Sequence, residues 1–398
     1  MHYKRLLHNT ISLKIQIRNT LKIKSVYYWS PFLTPIATSK AVINSAYSLK
    51  KFSKNFEVVI LNFFNEFDKK SNEVKNKNIK IKNFYNFDIA KYFPKYGKFS
   101  SRLSFLLFFL LGFFPLFKIL KKEQPNYLII HLITSLPLFF LIIFNFKTKF
   151  ILRISGLPRL SFFRKLIWRL AFKKIYLVTC PTKETYNYIR SLKIINDDKL
   201  KVLYDPIIDV KEIQEKKKHK LHFQEEYFLS IGRLTRQKNF LFLCDVFNKV
   251  LSKYPKFKLL ILGDGEDYQK LKNYIINNKL EKNIELVGFK ENIFPYLVNS
   301  KGFILSSLWE DPGFVLIEAA HCRIPVFSSD AKPGPAEIVK NNFTGTIFKN
   351  NDKIDFVEKF DLFIENFKNK KIILENLKFS KKFTLFNHYQ KLNNYLKD

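Results

Sequence analysis

The stretch WEDPGFVLIE, residues 309–318, holds three acidic residues around a Pro-Gly turn and an apolar run. A carboxylate in an apolar helix is costly to bury alone, whereas one that accepts two hydrogen bonds from a ribose diol is satisfied. Glu310 and Glu318, with seven residues between them, are therefore candidates to face one hydroxyl-bearing ligand. For either glutamate taken alone, an ion pair with a neighbouring lysine is the alternative.

A second candidate is the basic stretch GRLTRQKN, which contains Gly232, Arg233, Arg236 and Lys238. It follows an apolar run and precedes a helical pattern. A diphosphate placed there would meet backbone N–H groups, the positive end of a helix and two or three cations. The alternative, in so basic a chain, is a solvated basic loop.

The stretch GDGED, residues 263–267, raises the question of a metal ion because Asp264 and Glu266 are two positions apart. Its place after an apolar run and before LKNYIINN favours a turn and a helix start instead. No cluster of His, Cys and Asp residues elsewhere has the spacing of metal ligands, so the sequence predicts no metal site.

These candidates need elements to position them, and the second half of the chain has a regular pattern. Short apolar runs alternate with helical periodicities, which is typical of a parallel sheet. Ligands of such sheets bind at the carboxyl ends of the strands, so we expect the chemistry in the loops that follow them. One helical face comprises Leu243, Val246, Phe247, Val250, Leu251 and Tyr254. The predicted strands are Tyr227–Gly232, Lys258–Gly263, Asn283–Gly288, Gly302–Ser307 and Pro325–Ser329.

Two segments of the first half, 103–120 and 127–146, are apolar enough to resemble membrane spans. The second divides into a strand, YLIIH, and a helix that starts at Ser135-Leu136-Pro137 and continues through LFFLIIFNF, and the next predicted strand is Lys149–Ser155. This pattern predicts a strand-helix-strand unit.

The first segment is interrupted by Gly112 and Pro115 and is followed by cations. This arrangement is typical of a helix that lies on a membrane surface with its cations toward lipid phosphates. A true membrane span is the alternative for both segments. The cations are Lys118, Lys121 and Lys122.

Composition bounds the class of protein. The 398 residues suggest two domains, and 47% hydrophobic with 17% aromatic residues can form sizeable cores. The formal net charge of +35 attracts nucleic acid, anionic lipid or phosphorylated substrates, although a codon bias toward Lys, Asn, Ile and Phe is a simpler cause.

The three cysteines, Cys180, Cys244 and Cys322, have wide, unpatterned spacing, which predicts a reducing compartment. Residues 1–24 read as a basic extension rather than an export signal.

Taken together, the motifs of residues 200–350 resemble the retaining glycosyltransferases of family 4, also described as glycosyl transferases group 1. SIGRLTRQKN looks like that family's diphosphate-binding loop, GDGEDY like its second strand and turn, and the two glutamates like its donor motif. GPAEIVKNNFTG (334–345) looks like the segment after the donor pocket, and LYDPIID (203–209) like the interdomain connection. The resemblance implies an α/β GT-B fold of two Rossmann-like, doubly wound domains facing each other across a cleft.

The resemblance also implies roles for individual residues. Arg233 and Lys238, in the loop that begins with Gly232, would hold the donor diphosphate. Glu318 would bind the ribose hydroxyls and Glu310 the transferred sugar. In addition, Gly313 and Phe314 would present backbone N–H groups near the sugar or phosphate, and His131 would line the cleft, although a lone His at a strand end is as often structural. The implied catalytic set is Glu310, Arg233, Lys238 and His131.

The first loop departs from the family pattern. Family members have a glycine pair there, whereas SPFLTPIATSKA (30–41) has none, which puts the acceptor-side and phosphate contacts of that loop in doubt. The expected organisation is a basic extension (1–24), an acceptor domain (25–205), a linker (206–225), a nucleotide-sugar domain (226–355) and C-terminal helices packing back toward the first domain (356–398).

The implied activity is transfer of a sugar from a UDP- or GDP-sugar to a glycan or lipid-linked acceptor, with retention of the anomeric configuration. The implied pathway is the synthesis of a surface polysaccharide or lipopolysaccharide. No cofactor or obligatory metal is implied, because cations take the charge on the leaving phosphate. The expected place is the cytoplasm, on the anionic inner face of the cytoplasmic membrane. The alternatives are a non-catalytic scaffold of the same fold and a basic membrane-surface or nucleic-acid-binding protein. The spread of lysines along the chain disfavours nucleic acid.

Overall fold

A computed structural model describes residues 23–32, 38–87, 89, 93, 98–158, 160–219, 221, 225–340, 343–366 and 368–397, with the side chains of 98–105 excepted. Most of the basic N-terminal extension and the middle of the first loop, residues 33–37, lie outside this described part. The chain forms two parallel sheets, each flanked by helices.

The first sheet has seven strands in the order β3-β2-β1-β4-β5-β6-β7. The helices between them are α1 (Thr38–Phe52), α2 (Ser71–Asn76), α3 (Lys98–Lys118), α4 (Ser135–Ile143), α5 (Phe162–Lys174) and α6 (Lys183–Ser191). The strands are β1 (Lys24–Trp29), β2 (Phe56–Asn62), β3 (Lys80–Asn83), β4 (Tyr127–Ile130), β5 (Lys149–Arg153), β6 (Leu177–Cys180) and β7 (Leu200–Val202).

The second sheet has six strands in the order β10-β9-β8-β11-β13-β15, which is the doubly wound order of a Rossmann domain. The strands are β8 (Tyr227–Ile231), β9 (Lys258–Leu262), β10 (Ile284–Gly288), β11 (Gly302–Leu305), β13 (Val326–Ser329) and β15 (Thr346–Phe348). A separate two-stranded ribbon pairs β12 (Trp309–Glu310) with β14 (Lys332–Pro333).

Nine helices of the described chain accompany this second half. They are α7 (Val210–Lys216), α8 (Phe240–Lys253), α9 (Tyr268–Asn277), α10 (Phe294–Asn299), α11 (Phe314–His321), α12 (Pro335–Ile338), α13 (Lys353–Asn366), α14 (Lys370–Ser380) and α15 (Leu385–Tyr395).

The strands of the second sheet are apolar on both faces because each face has its own core. Along β8, Leu229 and Ile231 pack into one cluster and Phe228 into the other, and β9 alternates in the same way. Successive side chains of a strand point to opposite faces, so a strand covered on both sides must be apolar throughout. The helix predicted from Leu243 to Tyr254 is α8, and four of its predicted core residues are buried.

All five strands predicted in the second half are confirmed, and β12, β14 and β15 are additions. The segment 127–146 is also confirmed as a strand and a helix rather than a span, although α4 ends at Ile143 and not at Phe146. Within the described part of the chain, no helix has the length and apolar character needed to cross a membrane.

The chain divides into two compact units. The first comprises residues 1–153, 162–178 and 393–398, and the second comprises 154–161 and 179–392. The C-terminal residues are bound within the first unit, where Tyr127 Oη donates to the Leu396 carbonyl oxygen over 2.9 Å and Lys24 Nζ donates to the same oxygen.

Candidate functional site

The loops after β8 and β11 occupy the switch point of the second sheet. Strands β8 and β11 are paired side by side, and the strand order runs in opposite directions away from them. In open parallel sheets, ligands bind at this point, beyond the carboxyl ends of the strands. The two segments, residues 232–239 and 306–313, are called the β8 loop and the β11 loop below. Six of the seven residues proposed for the donor lie in them or directly after them.

Hydrogen bonds join the two loops into one platform. Ser306 Oγ donates to the Lys238 carbonyl oxygen over 2.9 Å, and Leu308 N donates to the Gln237 carbonyl oxygen over 2.8 Å. Gln237 Nε2 in turn donates to the Trp309 carbonyl oxygen over 2.8 Å. Side chains on either loop are therefore held in a defined relation to those on the other.

Lys238 and Glu310 form an ion pair across this platform. Lys238 Nζ contacts Glu310 Oε1, and Ser307 Oγ donates to the same oxygen over 2.8 Å. The aliphatic part of Lys238 passes over Gly232, where an added Cβ would lie 2.8 Å from Lys238 Cε. A side chain at position 232 would therefore displace the Lys238 side chain from its present path.

Arg233 and Arg236 are exposed on the β8 loop. Within the described part of the chain, neither side chain forms a hydrogen bond or an ion pair, in contrast to Lys238. Two guanidinium groups beside a glycine-containing turn at a strand end suit the recognition of phosphate oxygens, because each presents several N–H donors in a planar fork. The β8 loop therefore carries uncompensated positive charge.

The stretch GDGED packs against the β8 loop. Leu234 N donates to the Asp264 carbonyl oxygen and Asp267 N to the Leu234 carbonyl oxygen, both over 2.9 Å. A Cβ on Gly263, whose φ is +146°, would overlap the Gly232 carbonyl oxygen, and one on Gly265 would lie 2.5 Å from the Leu234 oxygen. The prediction of a turn and a helix start is confirmed, since α9 begins at Tyr268. Among the described residues, no three His, Cys, Asp or Glu side chains gather as a metal site requires.

Helix α11 positions Gly313, Phe314 and Glu318. Gly313 precedes the helix with φ +97°, a left-handed conformation that favours glycine. Phe314 is half-buried against the core of the second unit, and Glu318 is only 3% exposed in the middle of the helix. The helix predicted for FVLIEAAHC is confirmed.

Glu310 itself lies in the short strand β12 rather than in an open loop. Gly334 N donates to its carbonyl oxygen over 3.0 Å, and a Cβ on Gly334 would overlap the Pro312 carbonyl oxygen. The segment that begins GPAE therefore packs directly on the Pro-Gly turn. This pairing of β12 with β14 fixes the backbone from which the Glu310 side chain extends.

Sequence reasoning did not single out three further polar residues of this region. Ser307 contacts Glu310, and Asp311 accepts a hydrogen bond from Gly156 N within the same unit. Glu337 accepts hydrogen bonds from Tyr204 Oη over 2.7 Å and from Lys183 N over 2.6 Å. The partners of Asp311 and Glu337 are remote in sequence, whereas Ser307 and its partner Glu310 are close neighbours, so only the position of Ser307 and Asp311 beside Glu310 was available as a signal.

His131 belongs to the first unit and is described with its own sheet. It follows β4 directly, is 5% exposed, and its backbone N donates to the Trp29 carbonyl oxygen over 2.9 Å at the end of β1. Strands β1 and β4 are neighbours in the first sheet. The strands that follow β1 in sequence extend toward one edge of the sheet, and those that follow β4 extend toward the other. His131 thus lies at the switch point of the first sheet, as the β8 and β11 loops do in the second.

Several known proteins are similar to this chain in sequence. Residues 211–378 match the sequence profile of the family Glycosyl transferases group 1. The chain is 34% identical over 248 residues to an uncharacterized glycosyltransferase of Methanocaldococcus jannaschii, covering 57% of this chain and 61% of that protein. It is 33% identical over 133 residues to the UDP-Gal:alpha-D-GlcNAc-diphosphoundecaprenol alpha-1,3-galactosyltransferase of Escherichia coli, covering 33% of this chain and 34% of that one. The chain thus spans less than two thirds of the length of these relatives.

The fold is shared with solved structures over nearly the whole chain. A glycosyltransferase from Rickettsia africae superposes with a TM-score of 0.71 at 18% identity, covering 94% of this chain and 97% of that one. This likeness confirms the predicted GT-B fold class, with two Rossmann-like domains built on parallel sheets.

Proposed function

We propose that this chain is a retaining glycosyltransferase of family 4, of hexosyl type, that moves a sugar from a nucleoside-diphosphate sugar to a glycan or lipid-linked acceptor. The observation that carries the proposal is the platform of the β8 and β11 loops. It brings Lys238 and Glu310 together beside the uncompensated Arg233 at a ligand-binding edge. The profile match covers these residues, and the named Escherichia coli relative uses a UDP-sugar and a diphosphoundecaprenol acceptor.

The proposed chemistry divides among the residues of the platform. Arg233 and Lys238 hold the donor diphosphate and stabilise the charge that grows on it as the sugar leaves. Glu310 contacts the transferred sugar, Glu318 the ribose hydroxyls, and the backbone N–H groups of Gly313 and Phe314 complete the donor site. His131 is proposed to act on the acceptor side.

The proposal includes no cofactor and no obligatory metal. A guanidinium and an ammonium group near the leaving phosphate perform the charge stabilisation that a divalent cation performs in other enzymes. Transfer should therefore persist in a chelator such as EDTA.

The donor is a UDP- or GDP-sugar, and the acceptor belongs to the synthesis of a surface polysaccharide or lipopolysaccharide. A lipid-linked acceptor places the enzyme in the cytoplasm, on the anionic inner face of the cytoplasmic membrane, where a basic protein is attracted. Nucleic acid is not a proposed partner.

A binding screen followed by a transfer assay tests the proposal. UDP or GDP should raise the thermal midpoint of the full chain, since a ligand that binds only the folded state stabilises it by mass action. Arg233→Gln should reduce that shift, whereas Arg323→Gln, an exposed arginine beyond the far end of α11, should not. The corresponding nucleotide sugar should then yield product with a lipid-linked acceptor. The absence of any shift with either nucleotide, together with no transfer, would refute the proposal.

A further inference from the structure

Three neighbouring helices of the first unit expose an unusual number of large apolar side chains. Helix α4 packs against both α3 and α5, and all three make crossovers in the same direction along the first sheet. Right-handed crossovers in one direction place helices on one face of a sheet. The exposed residues, called the apolar face below, are Leu106, Leu110, Leu111 and Phe114 of α3, Ile143 of α4, and Phe162, Phe163, Leu166, Ile167 and Leu170 of α5.

Helix α5, with the sequence FFRKLIWRLAFKK, contributes half of this face. Phe162 and Phe163 are 78% and 75% exposed, whereas Trp168, Ala171 and Phe172 on the opposite side are buried. The exposed positions 162, 163, 166, 167 and 170 repeat with helical spacing, so they form one continuous stripe. The helix is therefore apolar on two sides, and only one of them is covered by its own unit.

Helix α3 repeats the arrangement. Leu106, Leu110 and Phe114 are spaced by four residues and exposed, while Phe108 and Leu116 are buried. Gly112 faces inward, where an added Cβ would lie 3.0 Å from Leu136 of α4. Clusters of exposed large apolar side chains are uncommon on monomeric soluble proteins and mark interaction sites.

The charges of the same three helices indicate what covers the face. Helix α5 carries Arg164, Lys165, Arg169, Lys173 and Lys174, and Lys118, Lys121 and Lys122 lie exposed at the end of α3. The sequences of α3, α4 and α5 contain no Asp or Glu. Aromatic and aliphatic residues on helices whose only charged side chains are cations match a lipid surface with anionic phosphates, which takes the apolar side chains into its interface.

We propose that the apolar face, with α5 as its main contact, docks on an anionic membrane surface. This deepens the membrane attachment put forward under the proposed function, on which it rests. Its principal site is α5 rather than the segment 103–120 that the sequence indicated. Phe162 and Phe163 enter the headgroup region, and Lys165 and Arg169 contact lipid phosphates. The face includes none of the residues proposed to bind the donor, so membrane binding and nucleotide binding are measured independently.

Vesicle sedimentation of the full chain tests the docking surface. The chain should bind vesicles of phosphatidylcholine mixed with phosphatidylglycerol, bind phosphatidylcholine alone weakly, and dissociate partly in high salt. Removing one cation near an anionic surface lowers the membrane–water partition coefficient about fivefold. Lys165→Gln with Arg169→Gln should therefore weaken vesicle binding on the order of tenfold to thirtyfold. Phe162→Ser with Phe163→Ser should weaken binding to the mixed vesicles at least as much.

Matched variants of the second unit serve as controls. Lys270→Gln with Lys272→Gln removes two exposed cations, and Ile354→Ser removes an apolar side chain that is 73% exposed. Both should bind vesicles like the wild type. All variants should keep the wild-type thermal midpoint and UDP or GDP response, which separates a failure of docking from a failure of the proposed activity.

Two results would overturn the proposal. One is equal vesicle binding by the α5 variants and the wild type. The other is a chain that does not bind anionic vesicles but forms a dimer that Phe162→Ser with Phe163→Ser dissociates, since a second copy would then cover the face.

Discussion

Lys238 and Glu310 neutralise each other across the β8 and β11 loops, with Ser307 Oγ donating to the same Glu310 oxygen. The two side chains are only 15% and 9% exposed. The cation proposed for the diphosphate and the acid proposed for the sugar are thus direct partners. A diphosphate that binds Lys238 shares this lysine with Glu310. Substitutions of the two residues are therefore expected to have different effects on nucleotide binding, turnover and stability.

Glu310→Gln should reduce kcat while leaving the affinity for the bare nucleoside diphosphate unchanged or slightly increased. The substitution removes a charge that acts on the sugar, and it releases Lys238 toward the phosphates. A lost charge-assisted hydrogen bond costs about 1.5–3 kcal/mol, so kcat should fall roughly ten- to a hundredfold. Calorimetry and steady-state kinetics check the two parts, and weaker nucleotide binding would contradict the assignment of Glu310 to the sugar.

Lys238→Met should weaken nucleotide binding and also destabilise the fold. Methionine retains the aliphatic packing over Gly232 but leaves Glu310 as a buried charge without its partner, and breaking such a pair costs about 3–5 kcal/mol. Adding Glu310→Gln should restore much of the stability in urea denaturation without restoring nucleotide affinity. If the double variant is no more stable than Lys238→Met, the pair does not account for the loss.

Glu318→Ala should weaken binding of the nucleoside diphosphate with and without its sugar, by a similar ten- to a hundredfold. A contact with ribose is present in every donor state, whereas one with the sugar is not. The matched control is Glu337→Gln on the neighbouring α12, whose carboxylate bonds to Tyr204 and Lys183. The control should keep wild-type nucleotide affinity. Equal effects of Glu318→Ala and Glu310→Gln on the bare nucleotide would show that the two glutamates have no separate roles.

Gly263→Ala should destabilise the second unit more than Gly288→Ala does. Both glycines have positive φ, +146° and +79°, but only at Gly263 would the added Cβ overlap another backbone, at the Gly232 oxygen. Gly288 has no atom within 4 Å of the added Cβ, so its substitution incurs only the conformational cost, roughly 1–2 kcal/mol. Urea denaturation compares the two variants, and equal losses would show that the β8 loop moves aside at little cost.

Glu66→Gln should stabilise the first unit increasingly as the pH rises. Burial raises the pKa of Glu66 to about 8 from its ordinary 4.5, and no residue of the described chain pairs with its buried Oε1. Because the pKa of Glu66 is higher in the folded than in the unfolded state, its protonated form contributes stability that is fully present below pH 4.5 and is lost as the pH rises through about 8. Glutamine does not titrate, so the variant does not lose stability in this way. Thermal midpoints measured from pH 5 to pH 8 should diverge, with the exposed Glu57→Gln as the control for the exchange itself. A constant difference between Glu66→Gln and the wild type would contradict this.

Much of the candidate site could be predicted because its parts are local. The apolar runs 227–232 and 302–307 end close to the ends of β8 and β11, and glycine, proline and charged residues stand in the loops that follow. A strand that is covered on both faces must be apolar along its length, so its end is visible in the sequence. The same logic divided segment 127–146 into β4 and α4 instead of a span.

The sequence by itself determined which residue types stand at the ends of the strands, since strand, turn and helix patterns depend on near neighbours. Only the tertiary structure decided their partners. Lys238 and Glu310 are 72 residues apart and meet because β11 inserts beside β8, which places two distant loops at one edge. The exposure of Phe162 and Phe163 is equally a tertiary result. Whether an apolar helix side is core or surface depends on what packs against it, and for α5 its own unit covers only the side of Trp168 and Phe172.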